Sequence, residues 1–195
     1  MIMPEIDDPR LLSPQCLSLT PVETVHENPW FAVRNRGGYF TVEYSRFQVI
    51  ILPVLENHSI VMVRVKRPVI NDETLELPAG SSEENETPIQ AAYRELIEET
   101  GIKIGDLKRL RILHPINNSP NRNPNLMYIF MAHITQQEYE NRCEHDKEII
   151  DVECFSFEEV QRLIVNGDIY VTVPMAVISR FIMSDTENVK LKATV

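Results

Sequence analysis

Glu95, Glu98 and Glu99 are the residues whose type and spacing most directly suggest chemistry. Set on a helix at about 100° per residue, they fall together on one narrow face, with Arg94 at its edge. Carboxylates three and four residues apart on a helix repel one another. Such a face costs stability unless something offsets the charge. A hard divalent cation with oxygen ligands would do so, and Mg²⁺ is typically shared between carboxylates and substrate phosphates. Taken alone, a run of acids is more often a solvated face. The geometry suggests, as the less common alternative, a metal-dependent site for a phosphate compound.

The element that must carry these acids is signalled at both ends. Thr87 suits an N-cap, Pro88 the first helical position, and Gln90 completes a capping box three residues on. Gly101 is a natural C-terminal stop. The spacing predicts a helix over Pro88–Thr100, with Ile89, Ala92, Tyr93, Leu96 and Ile97 on the side opposite the acids. Before it, Phe47–Leu55 and Ser59–Lys66 are dense in Val and Ile, as strands covered on both faces are. After it, Leu107–His114, Leu126–Ile134 and Ile150–Phe155 read as strands. A helix opened by Ser156, with Glu159 three later, runs to about Val165, and a last helix covers about Pro174–Ser184. Trp30–Arg34 and Tyr39–Tyr44 form a small hairpin around Gly37-Gly38. Trp30, Phe31 and Tyr39 either pack that hairpin or offer a stacking surface for a nucleobase, packing being the commoner fate. Residues 1–29 read as a mostly irregular arm, and 30–195 as one domain.

The full spacing is more specific than the acids. Gly80, five residues, Glu86, seven residues, then Arg94-Glu95-Leu96-x-Glu98-Glu99-x-Gly101-Ile102 resembles the Nudix box at every defined position. The resemblance implies an α/β fold, an α/β/α sandwich with a mixed sheet, here with the N-terminal β-hairpin added. It implies hydrolysis of a nucleoside diphosphate linked to another moiety, with Mg²⁺ or Mn²⁺ as cofactor. Glu95, Glu98 and Glu99 would be metal ligands, and Arg94 and Glu86 would brace loop and helix as an ion pair. Gly80, Glu86 and Gly101 would be structural positions of the motif.

Leu75-Glu76-Leu77-Pro78-Ala79-Gly80, with Arg67-Pro68 before it, resembles the ADP-ribose pyrophosphatase branch of that family. On that resemblance Arg67 would face substrate phosphate, Glu76 would help bind substrate, and the Ala79 carbonyl would be a further metal ligand. The branch has Ser-Pro-Gly in the loop after its box. Here Ser119-Pro120 stands somewhat later and Asn121 replaces the glycine, which bears on the substrate more than on the chemistry. An acid before the strand at Ile150 serves as general base in the branch. Glu144, Asp146 and Glu148 are the candidates, with Glu148 fitting the motif best and Asp146 next. The branch usually forms dimers in which N-terminal strands help build the partner's site, so a homodimer is expected. ADP-ribose, cleaved to AMP and ribose 5-phosphate, is the expected substrate. The alternatives are a nucleoside triphosphate, GDP-mannose, NADH or a dinucleoside polyphosphate, or a non-catalytic nucleotide-sensing domain on the same fold. The intact acidic face argues against a pure sensor.

Composition sets the outer bounds. The formal charge of −10 argues against nucleic-acid backbones and anionic membranes as partners. A hydrophobic fraction of 43% supports a real core. Cys16, Cys143 and Cys154 are odd in number and lack C-x-x-C spacing, so neither a disulfide framework nor a zinc site is indicated. The longest apolar run, around Val49–Leu55, is too short to span a bilayer. The N-terminus carries no apolar signal region, and a cytoplasmic location follows as the default.

Overall fold

The structure is a computed structural model and describes residues 8–12 and 16–192. A helical turn, α1 (Pro9–Leu12), precedes a three-stranded antiparallel sheet of β1 (Val22–Glu27), β2 (Phe31–Arg36) and β3 (Tyr39–Tyr44). The expected hairpin is β2–β3. Residues 22–27 are not irregular, because they pair along β2 as its outer strand. All six β1 residues are exposed, so no alternation of burial marks the strand in the sequence. The rest of the 1–29 arm lies partly outside the described residues.

The main body is a seven-stranded mixed sheet with order β10-β5-β4-β9-β8. It comprises β4 (Gln48–Leu55), β5 (Ser59–Arg67), β6 (Asp72–Glu76), β7 (Ala79–Ser81), β8 (Leu110–Leu113), β9 (Tyr128–Ile134) and β10 (Ile149–Ser156). β4 and β9 run parallel, and the other pairs are antiparallel. Between them come α2 (Pro88–Thr100), a 3₁₀ turn at Leu107–Arg109 and the short α3 (Gln136–Glu140). The chain ends with α4 (Phe157–Asn166) and α5 (Thr172–Lys192).

Period-two alternation along β4 builds the sandwich. Val49 and Ile51 face one core with Ala91, Ala92 and Leu96 of α2. Ile50, Leu52 and Val54 face the other with Val160 of α4 and Val173, Val177 and Ile178 of α5. A buried Ile or Leu of this kind contributes about 1.5–3 kcal/mol. These side chains therefore fix which way β4 faces, and with it the elements that carry the site.

The sheet splits where the site forms. β4 and β5 pair only at Val54 and Ile60, next to their connecting turn. Away from that turn β5 pairs with β6 and β4 pairs with β7. The segment 72–81 thus crosses from one strand to the other, carrying Glu76, Ala79 and Gly80 through the gap. α2 packs over β7 and β4.

Candidate active site

α2 forms as its ends dictate. Gln90 Oε1 accepts from the Thr87 N–H at 2.9 Å and from its hydroxyl at 2.7 Å, Pro88 begins the helix, and Gly101 ends it in the left-handed region at φ 72°. The acidic face this creates is not left to water. Glu95 is only 8% exposed and lies against Gly80. A Cβ at Gly80 would stand 1.9 Å from Glu95 Oε1, so glycine is required for that approach. Glu99 Oε2 accepts the Ala79 N–H at 2.9 Å.

Arg94 joins the parts. Its Nε and Nη2 donate to the two Glu86 oxygens at 3.0 and 3.1 Å, and Nη2 also donates to the Ser81 carbonyl at 2.9 Å. Nη1 donates to Glu95 at 2.8 Å and to Glu98 at 2.7 Å. The ion pair expected between Arg94 and Glu86 is present, and the same guanidinium offsets the repulsion between two of the helix acids. Hydrogen bonding from Arg94 holds the Glu86 carboxyl below its usual range. Burial pushes Glu95 up against the opposing pull of Arg94. Burial pushes Glu99 up to about 7, with the Ala79 N–H working against it and the nearby Glu95 charge adding to it.

The donor set fits a hard divalent cation. Every side chain offered is a carboxylate, two of them converge within hydrogen-bond reach of one nitrogen, and desolvation of a third, Glu99, outweighs the Ala79 N–H and the Arg67 charge that favour its ionised form. Among the described residues no three His, Cys, Asp or Glu side chains are already gathered at metal-holding distance, because Arg94 Nη1 stands between Glu95 and Glu98 while Glu99 turns to Ala79.

Arg67 and Glu76 come together beside these acids. Arg67 Nε and Nη2 donate to Glu76 at 2.7 and 2.9 Å, and the Thr74 hydroxyl donates to Glu76 at 2.7 Å. Burial works to raise the Glu76 carboxyl, but these bonds together hold it below its usual range. The Arg67 side chain is 48% exposed, so the pair anchors a guanidinium whose rim stays open. The charges of Glu99 and Glu148 both act on Arg67. Register explains the second of these. Ile149 lies opposite Val65, which brings Glu148 to the Arg67 end of β5.

The acidic loop is fastened to the other end of α2. The Asp146 N–H donates to the Glu98 carbonyl at 2.7 Å and the Cys143 N–H to the Gly101 carbonyl at 2.9 Å. A loop with fixed backbone and exposed Glu144, Asp146 and Glu148 therefore borders the acidic face.

A cleft of about 260 Å³ opens along Glu76, Leu77, Ala79 and Gly80. Its other walls come from Gln48, Asn118, Met127, Val171, Val173 and Pro174. Ser119 and Pro120 are not among its lining residues. Asn118 takes that place, and Pro120 instead lines a second cavity of about 390 Å³ with Cys16, Tyr39, Thr41 and Arg122. The Val42 N–H donates to the Arg122 carbonyl at 2.7 Å, tying β3 to the same loop. Trp30 is 72% and Tyr39 57% exposed, so packing within the hairpin accounts for Phe31 but not for these two. Sequence reasoning passed over Gln48, Asn118, Met127 and the start of α5. None carries a local motif, and only the sheet order brings them to the cleft.

Two relatives resemble this chain in sequence. Over 122 residues the chain is 28% identical to a Bacillus subtilis (strain 168) protein named ADP-ribose pyrophosphatase, covering 63% of this chain and 64% of that one. Over 59 residues it is 42% identical to a Mus musculus protein named ADP-sugar pyrophosphatase, covering 28% and 27%. The chain thus spans less than two thirds of the length of these relatives. The family model described as NUDIX domain matches residues 45–173, which take in the sheet, the acidic helix and the loop beside it, and the chain belongs to the Nudix family.

Proposed function

We propose that the protein hydrolyses the diphosphate bridge of a nucleoside diphosphate sugar, with ADP-ribose cleaved to AMP and ribose 5-phosphate. The observation that carries this reading is the meeting of the α2 acids with an open cleft at Ala79–Gly80. The two relatives named for ADP-ribose and ADP-sugar cleavage support the substrate class.

Glu95, Glu98, Glu99 and the Ala79 carbonyl would hold Mg²⁺ or Mn²⁺. Such an ion, when bound, neutralises phosphate charge and lowers the pKa of an attacking water. Arg94, pinned by Glu86 and Ser81, keeps the carboxylates in register. Arg67, held from behind by Glu76, turns its open rim to the diphosphate and stabilises charge building on a bridging oxygen. Glu148, with Asp146 as the second choice, accepts the proton of the water as its oxygen bonds to one phosphorus. The bridging P–O bond then breaks, leaving one phosphate on each product. A free carboxylate suits this task better than one already bound to metal.

We further propose a homodimer. Trp30, Tyr39, Val25 and Phe40 leave large apolar side chains exposed on the N-terminal sheet, with Tyr39 and Phe40 on opposite faces of β3, and exposed apolar groups of this kind suit a protein partner. The sheet is joined to the body near the second cavity through Val42 and Arg122, so a partner docked there would lie close to the Ser119-Pro120 loop. The cytoplasm is the proposed setting, where an exposed thiol such as Cys143 stays reduced. Among the described residues no helix is long and apolar enough to cross a membrane.

A panel assay tests the reading. ADP-ribose, other nucleotide sugars, NADH, dinucleoside polyphosphates and nucleoside triphosphates should be compared with Mg²⁺ and Mn²⁺. ADP-ribose should give the highest kcat/KM. A triphosphate turned over faster would move the substrate class, and tight nucleotide binding without turnover would favour the sensing alternative.

A further inference from the structure

The two left-handed helix ends differ in what stands over them. Gly101 closes α2 at φ 72° and Gly167 closes α4 at φ 86°. A Cβ at Gly167 would meet nothing within 4 Å. A Cβ at Gly101 would lie 2.0 Å from the Cys143 carbonyl oxygen, 2.8 Å from its carbon and 3.0 Å from its nitrogen. All three are backbone atoms, which cannot swing aside as the end of a side chain can. A glycine is thus required at Gly101 twice, once for its φ and once for the loop resting on it.

The loop rests there through its main chain. The Cys143 N–H reaches the Gly101 carbonyl at 2.9 Å, and three residues on the Asp146 N–H reaches the Glu98 carbonyl at 2.7 Å. The Glu98 carbonyl belongs to the last turn of α2 and the Gly101 carbonyl to its cap, where acceptors have no partner within the helix. The Ile149 N–H then bonds the Asp146 carbonyl at 3.1 Å, carrying the chain directly into β10. The stretch 143–148 is therefore held at one end by α2 and at the other by the sheet, although its side chains are mostly exposed.

From this we infer that Gly101 is a positioning residue, whose bare α-carbon seats the 143–148 loop on the end of α2 and so fixes the distance from the α2 carboxylates to Asp146 and Glu148. Glu98 sits at the junction, with its side chain on the acidic face and its carbonyl gripping the loop. A displaced loop would carry Glu148 away from Arg67, whose charge environment it shares. The inference rests on the reading of that loop as the source of the proton acceptor.

The test compares Gly101→Ala with Gly167→Ala. Both substitutions force alanine into the left-handed region, so backbone strain is common to them, and only the first meets the loop. Hydrogen exchange at the Cys143 and Asp146 amides and steady-state kinetics with ADP-ribose are read together. Gly101→Ala should speed exchange at both amides at least about tenfold, a sign of local opening. It should lower kcat about tenfold, with KM within about twofold and metal affinity unchanged. Gly167→Ala should match wild type in all of these. If Gly101→Ala fails to fold, Cys143→Pro, which removes one of the two seating donors and leaves no amide to read at 143, should speed exchange at the Asp146 amide and lower kcat in the same way, and Cys143→Ala should not.

Wild-type exchange in Gly101→Ala, or the same changes in Gly167→Ala, would overturn the inference. Faster exchange with unchanged kcat would overturn the positioning role. A wild-type protein without turnover on any substrate would defeat the functional reading instead, leaving the amides to decide whether the loop is seated by Gly101.

Discussion

Two acid-rich stretches meet at the C-terminal end of α2, and they are held in opposite ways. On α2 the acids are fixed through their side chains. Glu95 lies against Gly80, Glu99 accepts from Ala79, and Arg94 grips Glu86, Glu95 and Glu98 together. In the 143–148 loop the backbone is fixed by Gly101 and Glu98, and the carboxylates are left exposed. The difference teaches what each can do. Acids locked into a charge network, two of them raised by burial, suit a cation that repays their desolvation. Acids on an anchored backbone with free side chains suit exchange of a proton with water.

The comparison can be broken at either side. Glu98→Gln keeps the shape of the side chain and removes its charge. It should lower kcat by roughly 10²–10³, the scale of one lost electrostatic contact to the transition state, while circular dichroism shows the fold unchanged. Near-normal activity would put the cation elsewhere. Glu148→Gln strikes the loop. It should lower kcat by about 10² with little change in KM or metal affinity, and should remove the acidic limb of the pH–rate profile. If Glu144, Asp146 and Glu148 can each be replaced with kcat and that limb unaltered, the base lies on α2 and the loop only covers the site.

Arg94 sharpens the contrast from the side of stability. Arg94→Ala leaves Glu95 buried against Glu98 and Glu86 with no cation between them. Unfolding in urea should show a loss of about 2 kcal/mol, below the range for a fully buried pair because Glu98 is 40% exposed. Mg²⁺ should then raise the melting temperature of the variant more than that of wild type. Equal shifts would mean that ion and guanidinium do not answer the same charges.

An acid outside both stretches gives the baseline. Hydrogen bonds from Arg109 at 2.6 and 2.7 Å hold the Glu138 carboxyl down at about 2. Its folded value lies below the unfolded one of about 4.3, so its stabilisation is present above that pH and lost as pH falls towards 2. Glu138→Gln should cost about 1 kcal/mol at pH 6, and the gap should narrow by pH 3. A gap that stays constant with pH would show that the pair contributes through packing alone.

These acids were unequally legible in the sequence. α2 could be read with its bounds, because Thr87, Pro88, Gln90 and Gly101 are local signals and the acids repeat at helical spacing. β4 and β5 could be read because both of their faces are apolar and buried. What could not be read depends on contacts between distant residues. β1 is exposed throughout and owes its form to β2. β6 and β7 are short and exist because β4 and β5 part to receive them. The start of α5 at Thr172, two residues before Pro174, follows from packing of Val173 against the sheet. The clamp of Arg94 on three carboxylates was half legible. The pairing with Glu86 came with the motif, while the bridge to Glu95 and Glu98 needed the helix seated on β7. Ser119-Pro120 stands beside Asn118, and it is Asn118 that lines the cleft.

On the proposed reading, the α2 acids make this chain a cation-dependent hydrolase of a diphosphate bridge. The most direct measurement follows AMP release from ADP-ribose by wild type and Glu98→Gln, each with Mg²⁺ and after its removal by chelation. Wild type with Mg²⁺ should release AMP and ribose 5-phosphate in equal amounts and none after chelation, and Glu98→Gln should be slower by roughly 10²–10³. Equal rates from the two proteins, or cleavage that survives chelation, would contradict that reading.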